Sequence, residues 1–217
     1  MAGSSCCMMN SETELKYSLS PKEFKSLKRF LASYPHYSKR QINTYFDSPS
    51  LGLKKKRIGL RIRTSNQESP TLTVKFPKIG KKPKLAALKV RYEYEEYISL
   101  KDAKAVLTGT KNILLIEALP IRILKRKASK SCLKEIGKLG SLKTERTTYK
   151  YSKSFILELD RFTFFKKTFY ELECETTHPK TADQEIKKLF KNLKIKYRPQ
   201  KESKLARFLK EWQKKRA

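Results

Sequence analysis

Glu12-Thr13-Glu14-Leu15-Lys16 is the stretch on which the reading of this chain turns. In a β-strand successive side chains point to opposite faces, so Glu12, Glu14 and Lys16 share one face. Neighbours on that face sit about 7 Å apart, close enough to share a small polyanion or a pair of metal ions. Two carboxylates and an ammonium in one row make a poor core and a usable site. Taken alone, the row could equally be the solvated face of a half-buried strand.

The length of 217 residues fits one domain, and 38% hydrophobic residues suffice for one core. Residues 1–10 read as a flexible N-terminal tail and 11–217 as a single domain that includes a basic C-terminal helix. No apolar run approaches the roughly 20 residues that cross a bilayer, and the first ten have no secretory signal pattern. Cys6 and Cys7 fall in the tail, while Cys132 and Cys174 lie far downstream without metal-type spacing. A reducing, cytoplasmic setting is the economical inference. The charge is the loudest signal: 51 Lys and Arg against 21 Asp and Glu, a net +30. Such a chain attracts polyanions, whether nucleic acid, anionic membrane or polyphosphate.

Alternation recurs down the chain. Strands are expected at Gln41–Asp47, Gly59–Thr64, Thr71–Pro77, Leu88–Ile98, Leu142–Tyr151, Phe155–Arg161 and Tyr170–Thr176, besides the opening one. Ser20-Pro21-Lys22-Glu23 starts a helix that ends near Tyr34-Pro35. Leu51 and Leu53 mark a short helix or turn, and 78–84 is a basic loop around Gly80 and Pro83. Ser99 caps a helix stopped by Gly109. Residues 111–131 read as helix with a basic loop, and Leu133–Leu139 as a short helix ended by Gly140. Amphipathic helices follow at Thr181–Leu193 and Ser203–Lys215. Eight short strands with peripheral helices predict an α+β, predominantly β fold, an eight-stranded antiparallel closed β-barrel. Strand after strand carries charge on one face and apolar residues on the other. That suits a tunnel with a charged interior, wrapped by helices.

The carboxylates group as Glu12 with Glu14, Glu93 with Glu95, Glu158 with Asp160, and Glu171 with Glu173 and Glu175. Oxygen ligands of this kind suit hard cations such as Mg²⁺ and Mn²⁺. The bases Lys16, Arg61, Arg63, Lys75, Lys89, Arg91, Lys143, Arg146 and Lys204 suit phosphate oxygens. Acids for metal and bases for phosphate are what phosphoryl transfer needs, since its catalysis is mostly positioning and charge stabilisation. The plainer alternative is a set of surface salt-bridge ladders worth little. No Gly-rich phosphate loop or dinucleotide fingerprint is present. His36 and His178 read as loop surface residues, and Cys174 as a buried apolar one.

The ordered set of motifs resembles the triphosphate tunnel metalloenzymes, the CYTH superfamily. Glu12-x-Glu14-x-Lys16 resembles its Glu-x-Glu-x-Lys signature. Tyr45-Phe46-Asp47-Ser48-Pro49, Leu60-Arg61-Ile62-Arg63, Leu72-Thr73-Val74-Lys75 and Arg91-x-Glu93-x-Glu95 follow in family order. Leu159-Asp160, Tyr170-Glu171-Leu172-Glu173 and Ser203-Lys204 complete it, closest in pattern to plant-type and bacterial tunnel triphosphatases. The resemblance implies one or two Mg²⁺ or Mn²⁺ ions on Glu12, Glu14, Asp160, Glu171 and Glu173. It implies that Glu171 or Glu173 partners the attacking water. Lys16, Arg61, Arg63, Lys75, Arg91, Lys143, Arg146 and Lys204 would hold phosphates, with Glu93, Glu95, Glu158 and Glu175 as supporting acids. The only tryptophan, Trp212, is in the terminal helix, which disfavours a thiamine-specific site.

The first reading is therefore a metal-dependent hydrolase of inorganic triphosphate, extending to nucleoside triphosphates or polyphosphate. The second is same-fold chemistry on another substrate, an adenylyl cyclase or an RNA 5′-triphosphatase. The third is a non-catalytic polyphosphate- or nucleic-acid-binding protein. Nucleic acid is compatible with the charge and not required by it. The sequence is silent on oligomeric state.

Overall fold

A computed structural model of the chain describes residues 8–78, 85–153 and 155–216, with side chains from Glu12 onward. Cys6, Cys7 and nearly all of the expected basic loop at 78–84 lie outside the described residues. Eight antiparallel strands close into a barrel in the order β1-β5-β4-β3-β2-β6-β7-β8. They are β1 (Met8–Leu19), β2 (His36–Asp47), β3 (Gly59–Ser65), β4 (Thr71–Pro77), β5 (Leu88–Tyr97), β6 (Gly137–Tyr149), β7 (Phe155–Phe164) and β8 (Lys167–Thr176). The helices among the described residues are α1 (Pro21–Leu31), α2 (Gly52–Lys55), α3 (Leu100–Thr108), α4 (Leu119–Lys127), α5 (Lys130–Leu133), α6 (Pro179–Asn192) and α7 (Lys204–Lys214). None is long and apolar enough to cross a membrane.

The chain forms two compact units. One comprises 41–78 and 91–142 with the start of β1; the other comprises 12–40, 85–90 and 143–216 among the described residues. Each has its own apolar core, built on the strand face opposite the charged one. In the first, Leu60, Ile62, Leu72, Val74 and Tyr94 pack with Ala103 and Val106 of α3 and Ile121 and Leu124 of α4. In the second, Leu15, Tyr17, Leu157, Leu159, Leu172 and Cys174 pack with Leu27 and Leu31 of α1 and Ile186, Leu189 and Phe190 of α6. The expected inversion, apolar residues under helices and charges on the other face, is thus how each core is built.

Three expectations need correcting. Leu133–Leu139 is not a helix: α5 ends at Leu133 and β6 begins at Gly137. Its apolar residues Leu133, Ile136 and Leu139 stand three apart, a helical spacing, but the chain is already extended from Gly137. Residues 8–10 belong to β1 rather than to a tail. And α1 ends at Leu31, so that β2 begins at His36, five residues earlier than the alternation announced.

Local chemistry explains the joints. The Asp47 carboxylate accepts from the backbone N–H groups of Ser48, Leu53 and Lys54 at 2.8–2.9 Å, and Ser48 Oγ accepts from Gly52 N–H at 3.0 Å. Together they satisfy the free donors at the start of α2. The β7–β8 turn places Phe165 and Lys166 in left-handed conformations, φ 47° and 62°. Such a two-residue turn matches strand twist, though neither residue is the usual Gly or Asn. Phe165 stacks on Phe208 of α7, with ring centroids 5.1 Å apart, so the turn also anchors α7. Tyr17 and Tyr197 both donate to Asp183 Oδ1 at 2.7 Å, tying β1 and the segment before α7 to α6.

α1 begins with a capping box. Glu23 N–H donates to Ser20 Oγ, and Ser20 N–H donates to Glu23 Oε2 at 2.7 Å. Glu23 also accepts from Lys196 N–H at 3.0 Å and from Arg198. Burial works to raise its carboxyl, but the Ser20 and Lys196 N–H groups and the Arg198 guanidinium outweigh that and hold it at about 2. A carboxyl depressed on folding stabilises the fold above its unfolded pKa, and that contribution disappears as pH falls through the folded value. Ser20→Ala should therefore cost about 1 kcal/mol in denaturant unfolding. Glu23→Gln should melt below the parent at pH 7, and the gap should close as pH falls from about 4.5 towards 2.

Candidate active site

Strand register assembles the charged rows within each unit. In the unit of residues 12–40, 85–90 and 143–216, Arg146, Asp160, Glu171 and Ser18 are successive cross-strand partners over β6, β7, β8 and β1. The adjacent row is Thr148, Glu158, Glu173 and Lys16, and the next brings Glu175 beside Glu14. A spacing of two along each strand thus becomes a lattice on one face, with adjoining acids of β7 and β8 flanked by Arg146 of β6 and Lys16 of β1.

The lattice is buried and tightly paired. Arg146 grips Asp160 with both Nε and Nη2, at 2.8 and 2.7 Å, while Nη2 reaches Glu173 Oε2 at 2.6 Å and Nη1 meets Glu158. Lys16 Nζ lies 2.5 Å from Glu173 Oε1 and 3.1 Å from Glu14 Oε1. Lys204, the first residue of α7, lies 2.7 Å from Asp160 and 2.6 Å from Glu173, and also contacts Glu171. Arg207, one turn further, holds Glu171 Oε2 and stacks over the rings of Phe162 and Phe169 at 4.7 and 5.2 Å.

These contacts divide the carboxyls. Burial would raise Glu173, but Lys16, Lys204 and Arg146 overcome it and hold it well below the ordinary range. Asp160 is likewise held down against burial by Arg146 and Lys204. Glu171 goes the other way: burial raises it, neighbouring Glu173 adds to that, and Lys204 offsets only part. Glu158 also rises through burial, with Asp160 and Glu175 adding; Arg146 opposes this but is spread over three carboxylates. Lys16 would fall on burial, yet Glu14 and Glu173 keep it well above its usual value.

Asp160, Glu171 and Glu173 each offer a carboxylate oxygen, and these oxygens all lie within 4.8 Å of one another. Glu171 Oε1 is buried against the Lys204 ammonium, and Oε2 against Arg207. A hard divalent cation fits that donor set, because it takes carboxylate oxygens and gives a buried negative group a counter-charge. Glu14 joins the network through Lys16. Glu12 is half-buried on the same face. Glu175 is exposed, and its carboxyl is raised by partial burial and by Glu12, Glu14 and Glu173.

In the other unit, Arg61 Nη2 lies 3.2 Å from Glu93 and 3.6 Å from Glu95, and Lys75 lies 2.9 Å from Glu93. Thr73 donates to Glu95 at 2.6 Å, and Arg63 Nε donates to Asn43 Oδ1 at 3.0 Å. Arg91 is half-buried on the strand face that carries Glu93 and Glu95.

Lys143 must be taken off the list of expected phosphate ligands. It is exposed and stands three residues before Arg146 on a continuously paired strand, hence on the opposite face. Two participants were missed. Arg207 follows Lys204 at helical spacing, a signal that the sequence did contain. Asn43, an uncharged partner of Arg63, left none. His36 and His178 are exposed, and Cys174 is buried facing away from the glutamates, its thiol pushed up to about 12 by burial.

The CYTH domain family model matches residues 10–209. No curated protein sequence matches the chain. Among solved structures, a candidate adenylyl cyclase from Hippeastrum, HpAC1, described as having a dominant triphosphatase activity, is 26% identical. That alignment has a TM-score of 0.81 and covers 92% of this chain and 96% of that one. A protein from Bacillus halodurans named as a candidate adenylate cyclase is 27% identical, with TM-score 0.74 and coverage of 92% and 98%. The RNA triphosphatase domain of the mimivirus mRNA capping enzyme, at 13% identity, TM-score 0.53 and coverage of 85% and 88%, shares the fold.

Removing one partner of a buried charge network typically costs about 3–5 kcal/mol, because the remaining charges stay uncompensated. Arg146→Met should therefore destabilise the protein by roughly that amount in urea unfolding. Millimolar Mg²⁺ or Mn²⁺ should raise the melting temperature of the variant more than that of the parent, by neutralising the carboxylates that Arg146 leaves behind.

Proposed function

The chain belongs to the CYTH domain family, and on that footing we propose that it hydrolyses the terminal phosphate of inorganic triphosphate, and of nucleoside triphosphates, in a divalent-metal-dependent reaction. The observation that carries this reading is the buried triad Asp160, Glu171 and Glu173, enclosed by Lys16, Arg146, Lys204 and Arg207. A protein that merely binds polyanions gains nothing from carboxylates in its binding face, because they repel the ligand. A similar protein described as dominantly a triphosphatase adds support.

Asp160, Glu171 and Glu173 would hold Mg²⁺ or Mn²⁺, with Glu12 and Glu14 as further ligands. Such an ion, when bound, supplies a Lewis acid for the phosphate oxygens. Lys16, Arg146 and Lys204 neutralise charge on the polyphosphate and orient it. Arg61, Arg63, Lys75 and Arg91 are phosphate-binding side chains in the same proposal, with Glu93, Glu95 and Glu158 ordering the bases. Glu173 is committed at both oxygens to cations, which makes it a weak base. Glu171 is also paired at both oxygens, with Lys204 and Arg207, but burial and neighbouring Glu173 raise its carboxyl while that of Glu173 is held down, so Glu171 is the better acceptor for the proton of the attacking water. The water oxygen bonds to the terminal phosphorus, the bridging P–O bond breaks, and pyrophosphate and orthophosphate leave. Cyclisation of ATP is the second reading, favoured by the cyclase names of two similar structures. In it the ribose 3′-hydroxyl attacks the α-phosphorus, the bond from that phosphorus to the bridging oxygen breaks, and pyrophosphate leaves, so the polyphosphate must sit with its α- rather than its terminal phosphorus at the reacting position.

The test is orthophosphate release from triphosphate with and without Mg²⁺ or Mn²⁺, alongside product analysis on ATP. Glu171→Gln should lower turnover by about 10²–10⁴ while triphosphate affinity, measured calorimetrically, changes severalfold at most. Parallel loss of binding would show that Glu171 serves the ligand rather than the proton.

A further inference from the structure

Three helices of the unit containing residues 41–78 and 91–142 carry no carboxylate at all: α2, α4 and α5. Elsewhere helices pair their acids with lysines, as Asp102 on α3 with Lys111, Asp183 on α6 with Lys187, and Glu211 on α7 with Lys214. The acid-free helices adjoin one another. α2 packs on α5 at Gly52, where an added Cβ would stand 3.0 Å from the Cys132 Cα, and α5 follows α4 after Ala128 and Ser129. α2 rests on β3 and α4 on β4, two strands paired with each other.

This face is lined with unpaired cations. Lys55, Lys56 and Arg57 at the end of α2, and Arg122, Lys125 and Arg126 on α4, are all exposed and have no ion-pair partner among the described residues. On α4, Arg122 is one turn from both Lys125 and Arg126, the spacings at which like charges repel and weaken a helix. The helix dipole favours bases in the last turn, which covers Lys125 and Arg126 and, on the one-turn α2, Lys55, but not Arg122. A bare surface of this kind raises the protein's own electrostatic energy, and a polyanion lying on it removes that repulsion. A bilayer is the poorer partner. None of the large exposed apolar residues lies on α2, α4 or α5, so nothing there would anchor among acyl chains.

We propose that the α2–α4–α5 face binds the phosphate backbone of a nucleic acid, without reading its sequence. It shares no residue with the carboxylate network and does not depend on the triphosphatase reading. Contacts to phosphate alone give affinity that falls steeply with salt and tolerates any base.

The experiment is fluorescence anisotropy of the full chain with a labelled, mixed-sequence single-stranded RNA of about 20 nucleotides, from about 50 to 200 mM salt. Binding should weaken with salt. R122Q/K125Q/R126Q should reduce the log–log salt slope by about 2, from about 0.7 per lost phosphate contact on a single strand, and weaken binding about tenfold. K55Q/K56Q/R57Q should act the same way. K22Q/K25Q/R29Q on α1 removes equal charge and should leave both readouts nearly unchanged. Glutamine keeps helix propensity, and matched melting temperatures confirm folding. Equal loss in the α1 variant would overturn the proposal in favour of net charge alone. So would absence of salt-dependent RNA binding, including the case in which phosphatidylserine vesicles retain the protein and RNA does not.

Discussion

Asp160 is wholly buried and ionised, and it is tolerable only because Arg146 grips both of its oxygens while Lys204 contacts one of them again. A carboxylate taken out of water without such partners would cost several kcal/mol or take up a proton. The architecture around it follows from that requirement. Three elements must converge on one carboxylate: β7 bearing it, β6 bearing Arg146, and α7 bearing Lys204. Strand pairing delivers the first two automatically, since Arg146 and Asp160 are register partners. The third needs dedicated anchoring, which Phe208 supplies by packing on Phe164 and Phe165 at the β7–β8 turn.

A charged interior also dictates where the apolar core can be. With alternating faces, placing Glu14, Lys16, Glu171 and Glu173 on one side leaves Leu15, Tyr17, Leu172 and Cys174 on the other, and helices must cover them. α1 and α6 do so in one unit, α3 and α4 in the other. The core is thus sandwiched between strand and helix rather than enclosed by strands. That explains how a chain with few apolar residues still forms stable cores on both units.

This is why so much was legible beforehand. Alternation is a local property, and it exposes which residues share a face before any partner is known. Parity alone puts Glu14 with Lys16, Arg61 with Arg63, and Glu171 with Glu173 on shared strand faces, as the strand register has them. What failed was set by neighbours. Gly137 to Leu139 is strand because β6 extends there, although the short apolar run fits a helix as well. The true length of β1 and β2 depends on pairing with distant strands. Lys143 lies on the face opposite Arg146, a separation that parity itself contains. Arg207 lay at readable helical spacing from Lys204, but its role depends on where α7 docks, which is a matter of aromatic packing far along the chain.

The same network bears on how ligands enter. Every strong base near the triad is already paired with an acid, and four cations face five carboxylates across Lys16, Arg146, Lys204, Arg207 and Glu14, Glu158, Asp160, Glu171, Glu173. A lone divalent ion would have to displace Lys204 from all three of its carboxylates, leaving an ammonium buried with no counter-charge. A lone polyanion would draw the bases off and leave buried carboxylates facing each other. Each half-loaded state carries an uncompensated buried charge, the costliest arrangement in a low-dielectric interior. A ligand that brings both signs together, a metal ion with a polyphosphate, lets acids and bases exchange partners with no charge left bare. In the proposed hydrolase this pairing would act as a filter. It would disfavour either ion alone and select the combination that the proposed phosphoryl transfer requires.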